Sequence, residues 1–320
     1  MGGIAVVSNP RARANRANPG LVRRLAYVLG DEGEVAQPPD LDHLEEAMAR
    51  FRDRGVDVLC VSGGDGTLHK TLSAAVRVYG AGRALGEIVL PRVAILRSGT
   101  VNTMARNVGV RLGPDDMLGR IVAAWHQGAP LQLVERTLLV VNGLDAGFLF
   151  GTGVLARFME AYYAGKEGPG PWKAVKVLAR TVASALTRGP FAAAMFRRDP
   201  LRVVADGREW AAPAFSAVAA GTMADIGLGF RPFFRAPAHL DHLHALGFAC
   251  DAEVVAKALP RIYLARPIGH PAVTDEVVRR LVIESTDGGG VGFMMDGDFL
   301  PGGPRLVVEA GPRVRFVQSA

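Results

Sequence analysis

Three short segments carry most of the chemistry in this sequence: Asn9-Pro10, Gly63-Gly64-Asp65-Gly66-Thr67 and Ser98-Gly99-Thr100-Val101-Asn102. Each ends an apolar run, and these runs begin near residues 4, 57 and 92. Gly63, Gly64 and Gly66 have no Cβ, so backbone N–H groups there can approach an anion closely. A helical pattern follows Thr67, and its positive N-terminal end favours phosphate. Thr67 and Thr100 add hydroxyls suited to phosphate oxygens. Asp65 would repel a bare phosphate and makes sense beside Mg²⁺ or a water network, because hard cations take carboxylate oxygens. Alone, the glycine run also reads as a turn with an N-capping Asp. Three such loops at successive strand ends favour the phosphate site.

The elements that position these loops follow from periodicity. Segments 4–8, 57–62 and 92–100 read as strands. Segments 20–30, 40–54 and 67–80 read as helices, and another helix starts near 101. In the second of these, Leu41, Leu44, Ala47, Met48 and Phe51 recur at helical spacing. Strands apolar on both faces, alternating with helices, imply a parallel sheet covered by helices. Near residue 128 the pattern changes to short alternating β runs punctuated by Gly, Pro and Asp. The expected architecture is an α/β nucleotide-binding domain with an NAD-kinase-like parallel sheet (1–128), joined to a β-sandwich domain (129–304).

Within the β-rich part, residues 153–188 read instead as an amphipathic helical stretch. Val175, Leu178, Ala179, Val182, Ala185 and Leu186 form its apolar stripe. The stripe either packs on the sandwich, the commoner use of such a face, or the helix contacts an anionic membrane through Lys173, Lys176, Arg180 and Arg188 beside it.

Composition bounds the partners. The 320-residue chain is 49% hydrophobic and 21% charged, a globular balance long enough for two domains. Its net charge of +6 favours anionic partners. Aromatics are only 7% and no recognition module is evident, which argues against nucleic acid. Cys60 and Cys250 stand far apart in apolar surroundings, as buried thiols of a reducing compartment do. The first residues lack the basic region of a signal peptide, and no charge-free apolar run is long enough for a bilayer span. A cytoplasmic protein is expected, resting peripherally on the inner membrane.

Taken together, Asn9-Pro10, "GGDGT" and "SGTVNTMA" resemble the catalytic domain of the diacylglycerol kinase and sphingosine kinase superfamily, especially its soluble bacterial lipid kinases. "VNGLDAGFLFGTGV" and the late "DGD" extend the resemblance over nearly the whole chain. GGDGT alone is shared with NAD kinases; "GTVNTMA" is the discriminating piece. The resemblance implies ATP- and Mg²⁺-dependent phosphorylation of a lipid hydroxyl, diacylglycerol-like or sphingoid-like. A soluble acceptor such as NAD, and a non-catalytic protein on the same fold, are the alternatives.

By the same resemblance, Asn9, Gly64, Asp65, Gly66, Thr67, Gly99, Thr100 and Asn102 would hold the nucleotide and its Mg²⁺, with Pro10 and Gly63 in the same loops. Asp298 takes the place of the family's base, a Glu, and Asp296 that of its preceding Asp. Either carboxylate could accept a hydroxyl proton. Asp-Gly there also reads as a hairpin turn. Asp241 and the Leu243 carbonyl match a structural Mg²⁺ site, with His242 where the family has glycine. His239, Asp241, His242 and His244 alternatively read as a transition-metal cluster, with His242 and His244 on one strand face. The family's final strand, about 305–320 here, returns to the first domain. Lys70 and Arg97 stand where the family has a carboxylate and a proline, respectively.

Overall fold

The structure is a computed structural model that describes residues 3–18, 20–99, 102–163, 171–187 and 189–319. The chain forms two compact units. The first holds residues 1–138, 143–146 and 311–320; the second holds 139–142 and 147–310.

The first unit runs β1 (Ile4–Ser8), α1 (Arg13–Ala17), α2 (Leu21–Leu29), β2 (Gly33–Ala36), α3 (Leu41–Asp53), β3 (Val58–Gly63), α4 (Asp65–Tyr79), β4 (Arg92–Arg97), α5 (Thr103–Asn107) and α6 (Pro114–Gln127), then enters β5 (Leu133–Val141). β1, β3 and most of β4 are buried along their length, as in a sheet covered on both faces. The pairing is parallel in the order β2-β1-β3-β4. The closing stretch of the chain adds a further parallel partner, with Phe316 opposite Val93. α3 starts where the Asp40 carboxylate accepts the His43 N–H at 3.0 Å. It buries Leu44, Ala47, Met48 and Phe51, whereas Leu41, in its first turn, stays 47% exposed.

Asp145 and Ala146 of β6 (Asp145–Gly147), which pairs with β5, still belong to the first unit. The second unit continues with β7 (Leu149–Thr152), α7 (Val154–Tyr163), α8 (Pro171–Leu186), α9 (Pro190–Met195), β8 (Asp199–Ala205), β9 (Arg208–Glu209), β10 (Ala214–Phe215), β11 (Ala217–Gly221) and β12 (Leu243–Phe248). α10 (Ala252–Tyr263), β13 (Val273–Val278), β14 (Arg280–Ser285), β15 (Phe293–Met295), β16 (Asp298–Leu300) and β17 (Arg305–Val317) follow. One antiparallel sheet has the order β13-β12-β11-β7-β15-β16. A second is built from β10, β8, β14 and residues 305–310 of β17. Phe150, Val218, Leu243 and Met295 of the first sheet share one core with Val203, Leu281, Ile283 and Leu306 of the second. This is a β-sandwich. The other face of the six-stranded sheet is covered by Ala258 and Ile262 of α10 and by Phe233.

Two expectations change here. The helical stretch is divided into α7, α8 and α9. In α8, Val175 and Ala179 are exposed and Thr181 is buried, its Oγ1–H donating to the Val177 carbonyl at 2.8 Å. The buried face is therefore not the apolar stripe at those positions; the side chains of Leu178, Ala185 and Leu186 lie outside the described residues. In addition, α10 is a helix within a segment whose neighbours alternate like strands.

Both cysteines are buried and free, and desolvation pushes the thiol of Cys60 up to about 12 and that of Cys250 to about 11. Neither forms the reactive thiolate near neutral pH. Ellman's reagent at pH 8 is expected to find no rapidly reacting thiol in the native protein and both thiols after unfolding. Stoichiometric labelling of the native form would contradict this burial.

Candidate functional site

In the first unit, the loops after β1, β3 and β4 meet at the carboxyl ends of their strands. The order β2-β1-β3 reverses direction between β1 and β3, which makes this the topological switch point where open α/β sheets place ligands. Asn9 follows β1, and its Nδ2–H donates to Thr67 Oγ1 at 2.9 Å. Arg11 N–H donates to Asn9 Oδ1 at 2.9 Å, which fixes the orientation of the amide. Thr67 Oγ1 thus accepts one bond and keeps its own proton to donate. In the first turn of α4 the Thr67 N–H already donates to the Gly64 carbonyl at 3.0 Å, whereas the N–H groups of Asp65 and Gly66 precede the first helical carbonyl partner and can receive an anion.

The glycines are required by close approach. A Cβ on Gly99 would stand 2.4 Å from Gly64 Cα, so the second and third loops touch backbone to backbone. Asn102, left-handed at φ 51°, closes the third loop: its Oδ1 accepts Gly99 N–H at 3.2 Å and its Nδ2–H donates to the Gly99 carbonyl at 3.0 Å. Asp65 is tied to the same loop. Its two oxygens accept the N–H groups of Thr103 and Met104, each at 3.0 Å, and so cap α5. Thr100 lies outside the described residues. Pro10 is exposed at the turn and Gly63 is buried at the end of β3.

Sequence reasoning missed the layer beneath. Ser8 ends β1, Ser62 is the penultimate residue of β3 and Ser98 directly follows β4, and all three are buried. Ser62 Oγ lies 3.1 Å from Ser98 Oγ. Buried Asn15 on α1 donates from Nδ2 to the Asn9 carbonyl at 2.6 Å and to Ser8 Oγ at 3.3 Å, and accepts Ser62 Oγ–H at 3.4 Å. The signal was present as a serine repeated before each of the three loops. Asn15→Ala is expected to cost about 2 kcal/mol of stability, because it strands buried polar partners. It is also expected to weaken nucleotide binding, which thermal melting with and without ATP will measure.

The departures noted above have separate fates. Lys70 is exposed on α4. Arg97 donates from its guanidinium to the Arg111 carbonyl at 2.8 Å.

In the second unit, Asp296 and Gly297 form the two-residue turn between β15 and β16, with φ 48° and 95° and Met295 paired to Asp298. Asp296 Oδ1 accepts the N–H groups of Phe148 at 3.0 Å and Leu149 at 2.9 Å. A Cβ on Gly147 would meet Asp296 Oδ2 at 2.4 Å, so this clasp needs glycine there. Asp298, next along, is partly exposed. Tyr163 on α7 donates from its hydroxyl to the Gly297 carbonyl at 3.2 Å. Burial, with the charge of Asp298 adding to it, raises the Tyr163 pKa, so the phenol remains a donor at neutral pH. Nothing in the sequence marked Tyr163.

Asp241, left-handed at φ 68°, lies two residues before the start of β12, and Leu243 is fully buried at that start. The histidine cluster does not form. His242 lies before the strand and approaches Leu240 O and Arg279, whereas buried His244 has its Nε2 2.8 Å from Asp275 Oδ1. Among the described residues no three His, Cys, Asp or Glu side chains converge on a metal position.

A parallel sheet with glycine-rich loops at its switch point, followed by an antiparallel sandwich, defines a two-part protein with an α/β first unit and a β-sandwich second unit. Residues 3–133 match the family described as the diacylglycerol kinase catalytic domain. No curated protein matches the chain. Among solved structures, it is similar to a candidate diacylglycerol kinase from Bacillus anthracis str. Sterne, with a TM-score of 0.69 and 17% identity over 99% of this chain and 97% of that one. Another structure, described as a diacylglycerol kinase from the same organism, gives a TM-score of 0.63 and 14% identity over the same shares. At these identities the likeness establishes the fold. Among the described residues, no helix is long and apolar enough to cross a membrane.

Proposed function

We propose that the protein transfers the γ-phosphoryl group of ATP to the hydroxyl of a lipid. The observation that carries this is the Asn9–Thr67–Gly64–Gly99 arrangement at the switch point of a diacylglycerol kinase catalytic domain. The N–H groups of Asp65 and Gly66 at the start of α4 and the Thr67 hydroxyl would hold phosphate oxygens. In the transfer, the bond between Pγ and the β,γ-bridging oxygen breaks and a bond from the acceptor oxygen to Pγ forms. The hydroxyl proton passes to the Asp298 carboxylate, and ADP leaves. Asp296 holds the hairpin that presents Asp298.

The donor set fits a Mg²⁺ carried on the nucleotide phosphates, with Asp65 as the nearby carboxylate; among the described residues no three His, Cys, Asp or Glu side chains converge to cage one. Such an ion supplies charge neutralisation on the phosphates. Asp65, anchored on Thr103 and Met104, would meet it directly or through water.

Labelled ATP offered with a panel of lipids and soluble alcohols tests the proposal. Label in a lipid product is the expected result. Label only in NAD or a polyol overturns the lipid acceptor, and ATP binding without any transfer overturns the kinase.

A further inference from the structure

We infer that the second unit docks on an anionic bilayer through the loop 226–230 and the C-terminal end of α10. The inference rests on the lipid-kinase reading, which supplies the need for a membrane. The loop reads Ile226-Gly227-Leu228-Gly229-Phe230. Leu228 sits in the left-handed region at φ 54°, between glycines at 110° and 82°. A branched, bulky residue in that region is strained, and strain of this kind persists where the surroundings impose it. Here the strained conformation leaves the leucine 49% exposed, with no core burial to offset it.

Three further apolar side chains lie in the same region. Ile226 is 39% exposed, and Tyr263 and Leu264, at the end of α10, are more than half exposed. The two segments are one structure. Phe230 and Tyr263 pack edge to face with ring centroids 6.0 Å apart, and Arg231 N–H donates to the Ile262 carbonyl at 3.1 Å. The base is rigid, because Phe230 and Ile262 belong to the core beneath.

The rim carries the charge. Arg231, Arg261 and Arg266 are exposed, and among the described residues no carboxylate pairs with them at ion-pair distance. The nearby Asp225 carboxylate is turned into its own loop, accepting the Gly227 N–H at 2.7 Å. Exposed aliphatic and tyrosine side chains ringed by unpaired arginines match an interface where apolar groups enter the acyl boundary and cations meet lipid phosphates. The α8 surface offers less. Arg180 lies over the Phe191 ring at 4.0 Å, and the side chains of Lys173 and Arg188 are outside the described residues.

The test is sedimentation of the full chain with phosphatidylcholine vesicles, with and without about one third phosphatidylglycerol, in the absence of nucleotide and acceptor lipid. Wild type is expected to bind the anionic vesicles at least about tenfold more tightly than the neutral ones, and added salt to weaken that binding. Leu228→Asp and Leu264→Asp should each weaken it about tenfold or more, and the triple change of Arg231, Arg261 and Arg266 to Gln by more still. Circular dichroism checks folding; the arginine variant leaves the apolar side chains in place and carries the test if an aspartate variant unfolds.

Equal binding to both vesicle types, no binding, or wild-type binding by the folded variants overturns the inference. So does a dimer that Leu264→Asp converts to monomer, since the face would then serve a second copy. Lipid phosphorylation in detergent micelles is read separately. Activity there without vesicle binding sinks only this inference, and vesicle binding without any lipid kinase activity sinks only the proposed function.

Discussion

Asp298→Asn is expected to lower kcat for phosphoryl transfer about 10³-fold, the usual scale for losing a positioned general base. Apparent ATP affinity and melting temperature should stay close to wild type. The asparagine keeps the size of the side chain and removes its capacity to take a proton. Because Asp298 is partly exposed at the start of β16, the substitution leaves no buried charge unpaired. Asp298→Glu should retain measurable turnover, since a carboxylate remains.

Asp296→Asn gives the contrasting result. It weakens the acceptor of two backbone N–H groups and loosens the turn, so stability and activity should fall together. The discriminating measurement is steady-state kinetics beside thermal melting for both variants. If Asp296→Asn abolishes turnover at unchanged stability while Asp298→Asn stays active, the two roles are exchanged.

Gly99→Ala is expected to disable the proposed nucleotide site from the other side. The new methyl would stand 2.4 Å from Gly64 Cα and 2.8 Å from Asn102 Oδ1. Backbone cannot swing aside as a flexible side chain does, so the second and third loops must separate. That parts the glycine turn from the Asn102 bonds to Gly99, and it strains the Asp65 cap on α5. The expected cost is about 1–3 kcal/mol in stability, as for overpacking generally, with ATP binding weakened beyond detection in calorimetry. Gly82→Ala is a useful control, because its Cβ position is open and only its φ of +72° resists substitution. ATP binding by Gly99→Ala at wild-type strength would show that the loops do not need their close contact.

The fold was legible where the information is local. β1, β3 and β4 are apolar runs, and each of the three loops advertises itself by glycine or asparagine after serine, whereas the short β2 (Gly33-Glu34-Val35-Ala36) carries a glutamate and no such signal. The Asp-Gly turn before Asp298 is likewise a dipeptide signal. Legibility failed where a residue's part depends on distant partners. Asn15 sits on a five-residue helix too short to show periodicity, yet it holds the strand ends together. His242 and His244 have the spacing of one strand face, but β12 begins only at Leu243, after the left-handed Asp241. In α8 the stripe of Val175 and Ala179 gave no hint that Thr181 would be the buried residue, because tertiary packing chooses the face. Leu228 looks like an ordinary loop residue until its backbone angle is known.

The last strand has a consequence for the order in which the protein can be made. β17 gives Arg305–Ala310 to one unit and residues 311–317 to the other. A ribosome releases β1 to β4 early, yet the parallel partner for Val93 arrives with Phe316, after every residue of the sandwich has been synthesised. The first unit therefore waits with an open sheet edge throughout translation, exposed to mispairing of the kind unpaired edges invite. Refolding of the whole chain should be slow for its size, because this closing contact joins residues so far apart in sequence.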